Sequence, residues 1–269
     1  MRQVPCYGIV GDGKLAQHFS HYLKSKNLKV KQWSRKEGAE FCEHISDRLA
    51  GCDVILVLIS DDQIVPFLET HRKFFESKAA VHCSGRVTTP LARGAHPLMS
   101  FGPHLYDVET YENTLIAVEG EVAWFQELFP TLENPLFPID AKDKDLYHSL
   151  CVMSGNFTTL LWQKFFADMQ ERFKIPSHYL LPYLQQIARN LSSAPDQALT
   201  GPLARGDIET LRADMNAIAG DPFHEVFESF VRWKSPKALR TLQKRSVPGL
   251  RTLRTARASV KKTSLSRPV

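Results

Sequence analysis

The chain has 269 residues, 43% of them hydrophobic and 23% charged. Those proportions suit one large or two modest soluble domains with a sizeable core, and no apolar run approaches the length of a membrane span. The formal net charge of +5 is unevenly placed: residues 240–269 hold nine Lys or Arg and no Asp or Glu, leaving 25 basic against 29 acidic residues, a net of −4, elsewhere. Such a tail reads first as a solvated end, and only second as a contact for nucleic acid, an acidic partner or a membrane surface. The five cysteines (Cys6, Cys42, Cys52, Cys83, Cys151) form no C-x-x-C pair, which fits a reducing cytoplasm and argues against a disulfide framework or a zinc site. The N-terminus enters a strand almost at once, so no secretory signal is expected.

Taken in chain order, residues 4–16, VPCYGIVGDGKLA, read as a short apolar strand, a tight glycine turn and the start of a helix. Gly11-Asp12-Gly13 with Ala16 is the G-x-G-x-x-G/A form of the dinucleotide fingerprint. Gly11 permits the sharp turn, Gly13 lets a pyrophosphate approach the backbone, and Ala16 lets the helix pack closely on the strand. The helix N-terminus at Lys14-Leu15 then faces the phosphates. Asp12 sets a carboxylate beside them, which Lys14 is placed to offset. Residues 14–25 carry helical spacing, with Leu15, Phe19, Tyr22 and Leu23 on one face. Residues 28–33 form the second strand. Its end decides the cofactor: a site for NAD places Asp or Glu there, whereas this chain has Trp33-Ser34-Arg35-Lys36. A hydroxyl and two cations suit a 2′-phosphate, so NADP is expected over NAD.

Residues 37–49 read as the next helix, and the apolar run 53–59, DVILVLI, as a central strand buried on both faces. It ends in Ser60-Asp61-Asp62, a helix cap leading into a helix over 64–75. A strand over 79–83 ends in Ser84-Gly85. Residues 95–101 carry His96-Pro97, residues 114–118 a further strand, 121–131 a helix and 136–139 an edge strand. Ligands of open α/β sheets bind at the carboxyl ends of strands, so Ser60, Ser84, Gly85 and His96 become candidates to line the groove. From Ala141 the pattern is helical only: one long helix over 143–172, bent near Ser154-Gly155, a helix over 177–190 capped by Ser177, a polar loop 199–207, and helices over 207–219 and 223–233. The expected fold is α/β: a Rossmann-like doubly wound parallel sheet over 1–140, an all-helical second domain over 141–235, and a basic tail over 236–269.

Several segments together resemble one family: IVGDGKLA at 9–16, LISDDQI at 58–64, HCSG at 82–85, AHPLMSF at 95–101, YH at 147–148, Asn156, and ALTGPLARGD at 198–207. The set is similar to a bacterial family of largely uncharacterised proteins, in which a Rossmann-like NADP-binding domain precedes a helical domain of unknown function. Its wider relatives include pyrroline-5-carboxylate reductase, ketopantoate reductase and the β-hydroxyacid dehydrogenases. The resemblance spans residues 4–220, leaves the tail outside, and implies an NADP cofactor and a homodimer joined through the helical domains. It supplies no substrate.

Hydride transfer needs orientation, a proton donor or acceptor and a substrate anchor. His148 and Asn156 lie eight residues apart on the long helix, about 80° apart for α-helical geometry, with Val152 between them. His148 is an acid/base candidate and Asn156 a group to orient the substrate; the alternatives are a helix-packing histidine and a close helix contact. In β-hydroxyacid dehydrogenases a Lys–Asn pair stands on this helix; here Val152 takes the lysine's place, so that role is not carried over. His96 is the second acid/base candidate, its alternative a turn histidine bonded to backbone. Ser84 is placed to bond the nicotinamide amide. Arg205 is either an anchor for a substrate carboxylate or phosphate or a bond to helix-end carbonyls; Asp207 reads as a helix N-cap and Asn190 as a C-cap. The histidines give no metal set, since His18 and His21 are the one close pair and sit on a surface-reading helix. The reading is an NADP-dependent oxidoreductase acting on a small anionic metabolite between the two domains. The alternative is a non-catalytic NADP-binding sensor or assembly protein.

Overall fold

A computed structural model describes residues 5–36, 38 and 44–244, without the side chains of 243 and 244. The chain divides into two compact units, 1–168 and 169–269. The first holds a seven-stranded sheet in the order β2-β1-β3-β4-β5-β6-β7. The strands are β1 (Cys6–Val10), β2 (Lys29–Trp33), β3 (Val54–Val57), β4 (Ala79–His82), β5 (Arg93–Pro97), β6 (Ile116–Glu119) and β7 (Leu136–Ile139). Strands β1 to β5 pair in parallel, β6 runs antiparallel to β5, and β7 pairs in parallel with β6. The sheet is therefore mostly, not wholly, parallel. The connection from β5 to β6 carries the five-residue helix α5 (Val108–Glu112), and β6 returns in the opposite direction.

Period-two alternation splits the sheet's side chains between two cores. Tyr7, Ile9, Val54 and Leu56 pack on one face with Phe19, Tyr22 and Leu23 of α1 (Lys14–Ser25). Val10, Ile55 and Val57 pack on the other with Ile64 and Leu68 of α3 (Asp61–Thr70). His18 of α1 is buried, not on a surface helix: its Nδ1 lies 2.7 Å from Tyr111 Oη and its Nε2 3.1 Å from Gly102 O. Two expected helices are interrupted within their expected spans. The stretch read as a helix over 37–49 breaks at His44, whose extended backbone and ring nitrogen cap α2 (Ile45–Arg48); residues 37 and 39–43 lie outside the described set. The helix over 64–75 starts earlier, at Asp61, and breaks at His71 before α4 (Arg72–Phe75). Ser60 takes the N-cap backbone position without a capping hydrogen bond from its side chain.

Beyond β7 and α6 (Ala123–Leu128), α7 (Lys144–Cys151) runs into a π-helical segment, Val152–Phe157, and then α8 (Thr158–Phe173). The anticipated bend near Ser154-Gly155 is this wide turn. Because a π turn holds more residues than an α turn, the 80° angle between His148 and Asn156 does not apply.

The second unit is helical: α9 (Leu181–Ser193), α10 (Gly201–Arg205), α11 (Ile208–Ala217), α12 (His224–Lys234) and α13 (Pro236–Lys244). Ser177 does not cap α9; it opens a 3₁₀ turn, Ser177–Tyr179. Asn190 is inside α9, accepting from Gln186, and Ala194 is the C-cap. The 199–207 stretch is not all loop, since α10 occupies its centre and ends at Gly206 with φ 71°. Asp207 caps α11 as expected, accepting from Thr210 N at 3.1 Å. Residues 236–244, expected in the tail, form α13, whose Ala238, Leu239 and Leu242 pack with Leu211 and Val231. Residues 245–269 lie outside the described set. Among the described residues no helix is long and apolar enough to cross a membrane.

A buried ion pair fastens the start of α7 to the sheet. Lys144 is 3% exposed, and its ammonium lies 2.5 Å from Glu119 Oε2 at the end of β6 while also donating to Val87 O. Gly94 on β5 makes the space: a Cβ there would lie 2.7 Å from Lys144 Nζ and 2.8 Å from Glu119 Oε2. Removing one partner leaves a buried charge uncompensated. Lys144→Met is therefore expected to destabilise the protein by about 3–5 kcal/mol in urea denaturation, and Lys144→Met with Glu119→Leu to recover most of that loss. His82 of β4 is fully buried beside this pair, accepts from Ser84 N at 3.3 Å, and its pKa is pushed down to about 4 by burial, reinforced by the Lys144 charge. It is neutral in the fold and becomes charged in the unfolded chain below about pH 6.5. Its contribution is thus complete above that pH and lost as pH falls toward 4, roughly 2 kcal/mol between pH 7 and 5. Denaturation midpoints should fall between those pH values, and fall less in His82→Asn.

Candidate functional site

The strand order turns back between β1 and β3, and at their carboxyl ends lies a cleft of about 740 Å³. That is the size range and the position of a ligand site in open α/β sheets. Gly11 to Leu15 line its floor, Ser34 to Lys36 one wall, and Leu58 to Ser60 with Gln63 and Phe67 another. Gly11 has φ 122°, and a Cβ there would lie 2.2 Å from Leu58 O, so both its backbone and its contact with the β3 end demand glycine. Gly13 is the opposite case: a Cβ would meet nothing within 4 Å. The absent side chain leaves open space at the N-cap of α1, where backbone N–H groups and the helix dipole favour a phosphate. Ala16 is fully buried and lets α1 sit on the sheet.

Asp12 is exposed and its backbone carbonyl accepts from Gln17. Lys14, Arg35 and Lys36 are exposed around the same cleft, while Ser34 at its wall is buried. No carboxylate follows β2 at positions 34–36, so the wall carries two cations where a hydrogen-bond acceptor for a 2′-hydroxyl would be needed. These features fit a dinucleotide with a 2′-phosphate: an open glycine at a helix N-terminus, then two cations one strand away.

A second group of residues meets at the ends of β4 and β5. A Cβ on Gly85 would sit 2.9 Å from His148 Cδ2, 3.2 Å from His96 Cδ2 and 3.3 Å from His96 Nε2. Both histidine candidates therefore converge on Gly85, although 52 residues separate them in the chain. His96 Nδ1 lies 2.8 Å from Tyr147 Oη, with the rings edge to face. Burial, with the neighbouring His148 and Lys144, pushes the His96 pKa down to about 4 despite an opposing pull from Asp61. At neutral pH His96 is uncharged, so it can orient or polarise a partner but has no extra proton to give.

The remaining candidates are placed differently. Ser84 is buried and its Oγ accepts from Arg86 N at 3.2 Å and Val87 N at 2.9 Å, so it shapes the loop after β4. Asn156 is exposed inside the π segment. Arg205 is exposed at the end of α10 in the second unit, and its charge helps hold the Asp207 pKa down after the larger effect of the Thr210 hydrogen bonds. Sequence reasoning gave no role to Tyr147, Lys144, Glu119 or His82, although the YH and HCSG segments hold two of them. For Tyr147 the available signal was its place beside His148. Among the described residues no cluster of three or more His, Cys, Asp or Glu is placed to hold a metal.

Residues 114–232 match the model of a domain of unknown function, DUF2520. No curated protein matches the chain. Among solved structures, a provisional NADP oxidoreductase from Bacteroides fragilis superimposes with a TM-score of 0.69 at 20% identity, over 87% of this chain and 98% of that one. An imine reductase of Streptomyces aurantiacus gives 0.61 at 14% identity, over 89% and 98%. A pyrroline carboxylate reductase of Plasmodium falciparum, solved with NADP bound, gives 0.55 at 10% identity, over 88% and 97%. At these identities the likeness is one of fold. The chain shares a Rossmann-like sheet followed by a helical region with these solved structures.

Proposed function

We propose that this protein is an NADP-dependent oxidoreductase acting on a small anionic metabolite. The observation that carries the reading is one sheet edge bearing both a phosphate-binding cleft with a cationic wall and two histidines meeting on a glycine. The NADP and reductase descriptions of the structural neighbours support it. Residues 1–140 hold the nucleotide, with the diphosphate on Gly13 and the α1 N-terminus, and the 2′-phosphate on Arg35 and Lys36. Residues 141–235 contribute to substrate binding and dimer contact. When bound, NADPH supplies a hydride. His148 gives the matching proton to the substrate oxygen or nitrogen, or takes it in the reverse direction. His96, neutral, hydrogen-bonds the same atom as charge develops on it. Asn156 is assigned the substrate's orientation, and Arg205 remains an anion-binding candidate of the second unit.

The homodimer is proposed on a further observation. Leu146, Leu150, Met153, Phe157 and Leu160 follow one another at steps of four and three, and each is more than half exposed, from 52% to 64%. Five exposed apolar side chains within fifteen residues are a patch of the kind that a partner covers. A second copy of the chain is the occupant.

Three outcomes test the reading. Arg35→Ala should weaken NADPH binding by about tenfold or more while changing NADH binding little, because a lost charge-assisted contact to phosphate costs roughly 1.5–3 kcal/mol. Once a screen of 2-oxo acids and cyclic imines with NADPH gives turnover, His148→Ala should lower kcat by about 10²–10⁴ with NADPH binding retained. Retained turnover would remove His148 from the proton-transfer role, and tight NADPH binding without turnover on any such compound would favour the sensor. Leu150→Glu with Phe157→Glu should convert a dimer to a monomer in sedimentation with unchanged circular dichroism; a monomeric wild type would contradict the dimer.

A further inference from the structure

His96 and Tyr147 form a contact that the hydride-transfer scheme leaves unexplained. The ring nitrogen Nδ1 and the phenol oxygen are 2.8 Å apart, the rings stand at 84°, and both residues are partly buried. Edge-to-face placement brings the phenol oxygen toward the imidazole edge rather than its face. Nδ1 is thus occupied, whereas Nε2 lies on the side of Gly85 where His148 stands. A neutral imidazole has one donor and one acceptor nitrogen, and its partner decides which is which. Two arrangements satisfy the pair: the phenol donates to Nδ1, or Nδ1–H donates to the phenol. A phenol is a better donor than acceptor and a bare imidazole nitrogen a strong acceptor, so the first arrangement places the stronger donor on the stronger acceptor.

We propose that Tyr147 is a positioning residue that holds His96 in the tautomer with its proton on Nε2, aimed into the site beside His148. His96 is then a fixed hydrogen-bond donor and His148 the group that carries the transferable proton. The site accordingly selects substrates whose reacting group presents an acceptor atom to two imidazoles at once: a carbonyl oxygen or an imine nitrogen with a free lone pair. The catalytic consequence rests on the oxidoreductase reading; the tautomer does not.

The test is nuclear magnetic resonance of full-length protein with ¹⁵N-labelled histidine, the His96 signals being identified by their loss in His96→Gln. The expected wild-type result is a neutral His96 with bare Nδ1 and protonated Nε2 throughout pH 5.5 to 8. Tyr147→Phe should convert this to a mixture of tautomers. A wild-type His96 protonated on Nδ1, or a tautomer unmoved by Tyr147→Phe in a folded variant, would overturn the proposal. Neither NADPH nor a substrate is needed, so failure of the oxidoreductase reading and failure of this one are separable. If the wild-type tautomer is as expected, Tyr147→Phe should also lower kcat by about tenfold with KM little changed, and shift the pH profile. A change in KM alone would contradict the positioning role.

Discussion

Everything at the candidate site depends on where α7 begins. Lys144, nearly fully buried, is held by the Glu119 carboxylate and the Val87 carbonyl, and Gly94 on β5 provides the room. A charge in that position is costly unless it is paired and hydrogen-bonded, so the pair allows few placements of the helix start against the sheet. Tyr147 and His148 follow by three and four residues, one turn along the same helix. That turn brings His148 onto Gly85 and Tyr147 onto His96. A pair that contributes little net stability thus fixes a register, which is the best-attested use of a buried ion pair.

The nucleotide cleft and the histidine cluster obey different logic. The cleft is built from backbone: a left-handed glycine, an open glycine and a helix N-terminus, with cations added on the second strand. Such features depend on local geometry and need no distant partner. The histidine cluster is built from side chains of β5 and α7 brought over a glycine after β4. Its electrostatics follow from burial. His82 and His96 are both pushed toward the neutral form, and Lys144 contributes to each shift. One buried cation therefore fastens the helix and adds to the larger effect of burial on two imidazoles.

This division also decides what could be read from the sequence. The G-x-G-x-x-A turn and the helix over residues 14–25 were legible because glycine spacing and apolar periodicity are local signals, and the helix has the expected ends. The edge strand over 136–139 was legible for the same reason. Long-range partners were not. His18 looked like a surface residue because Tyr111, its hydrogen-bond partner, is 93 positions away. Lys144 and Glu119 drew no reading, because their pairing spans 25 positions. Helix α13 was hidden by its cations: the high charge of the segment masked Ala238, Leu239 and Leu242 at helical spacing. The π segment was legible only as a bend, because no residue pattern distinguishes a wide turn from a kink at Ser154-Gly155.

The central claim is that one sheet edge holds NADPH with its reactive end at the paired histidines. The most direct measurement is a crystal structure of the protein grown with NADPH. The account predicts the diphosphate on the backbone at Gly13, the 2′-phosphate within hydrogen-bond reach of Arg35, and the nicotinamide ring beside Gly85 with His148 on its open side. A nicotinamide ring directed away from Gly85, or no nucleotide bound at millimolar NADPH, would contradict it.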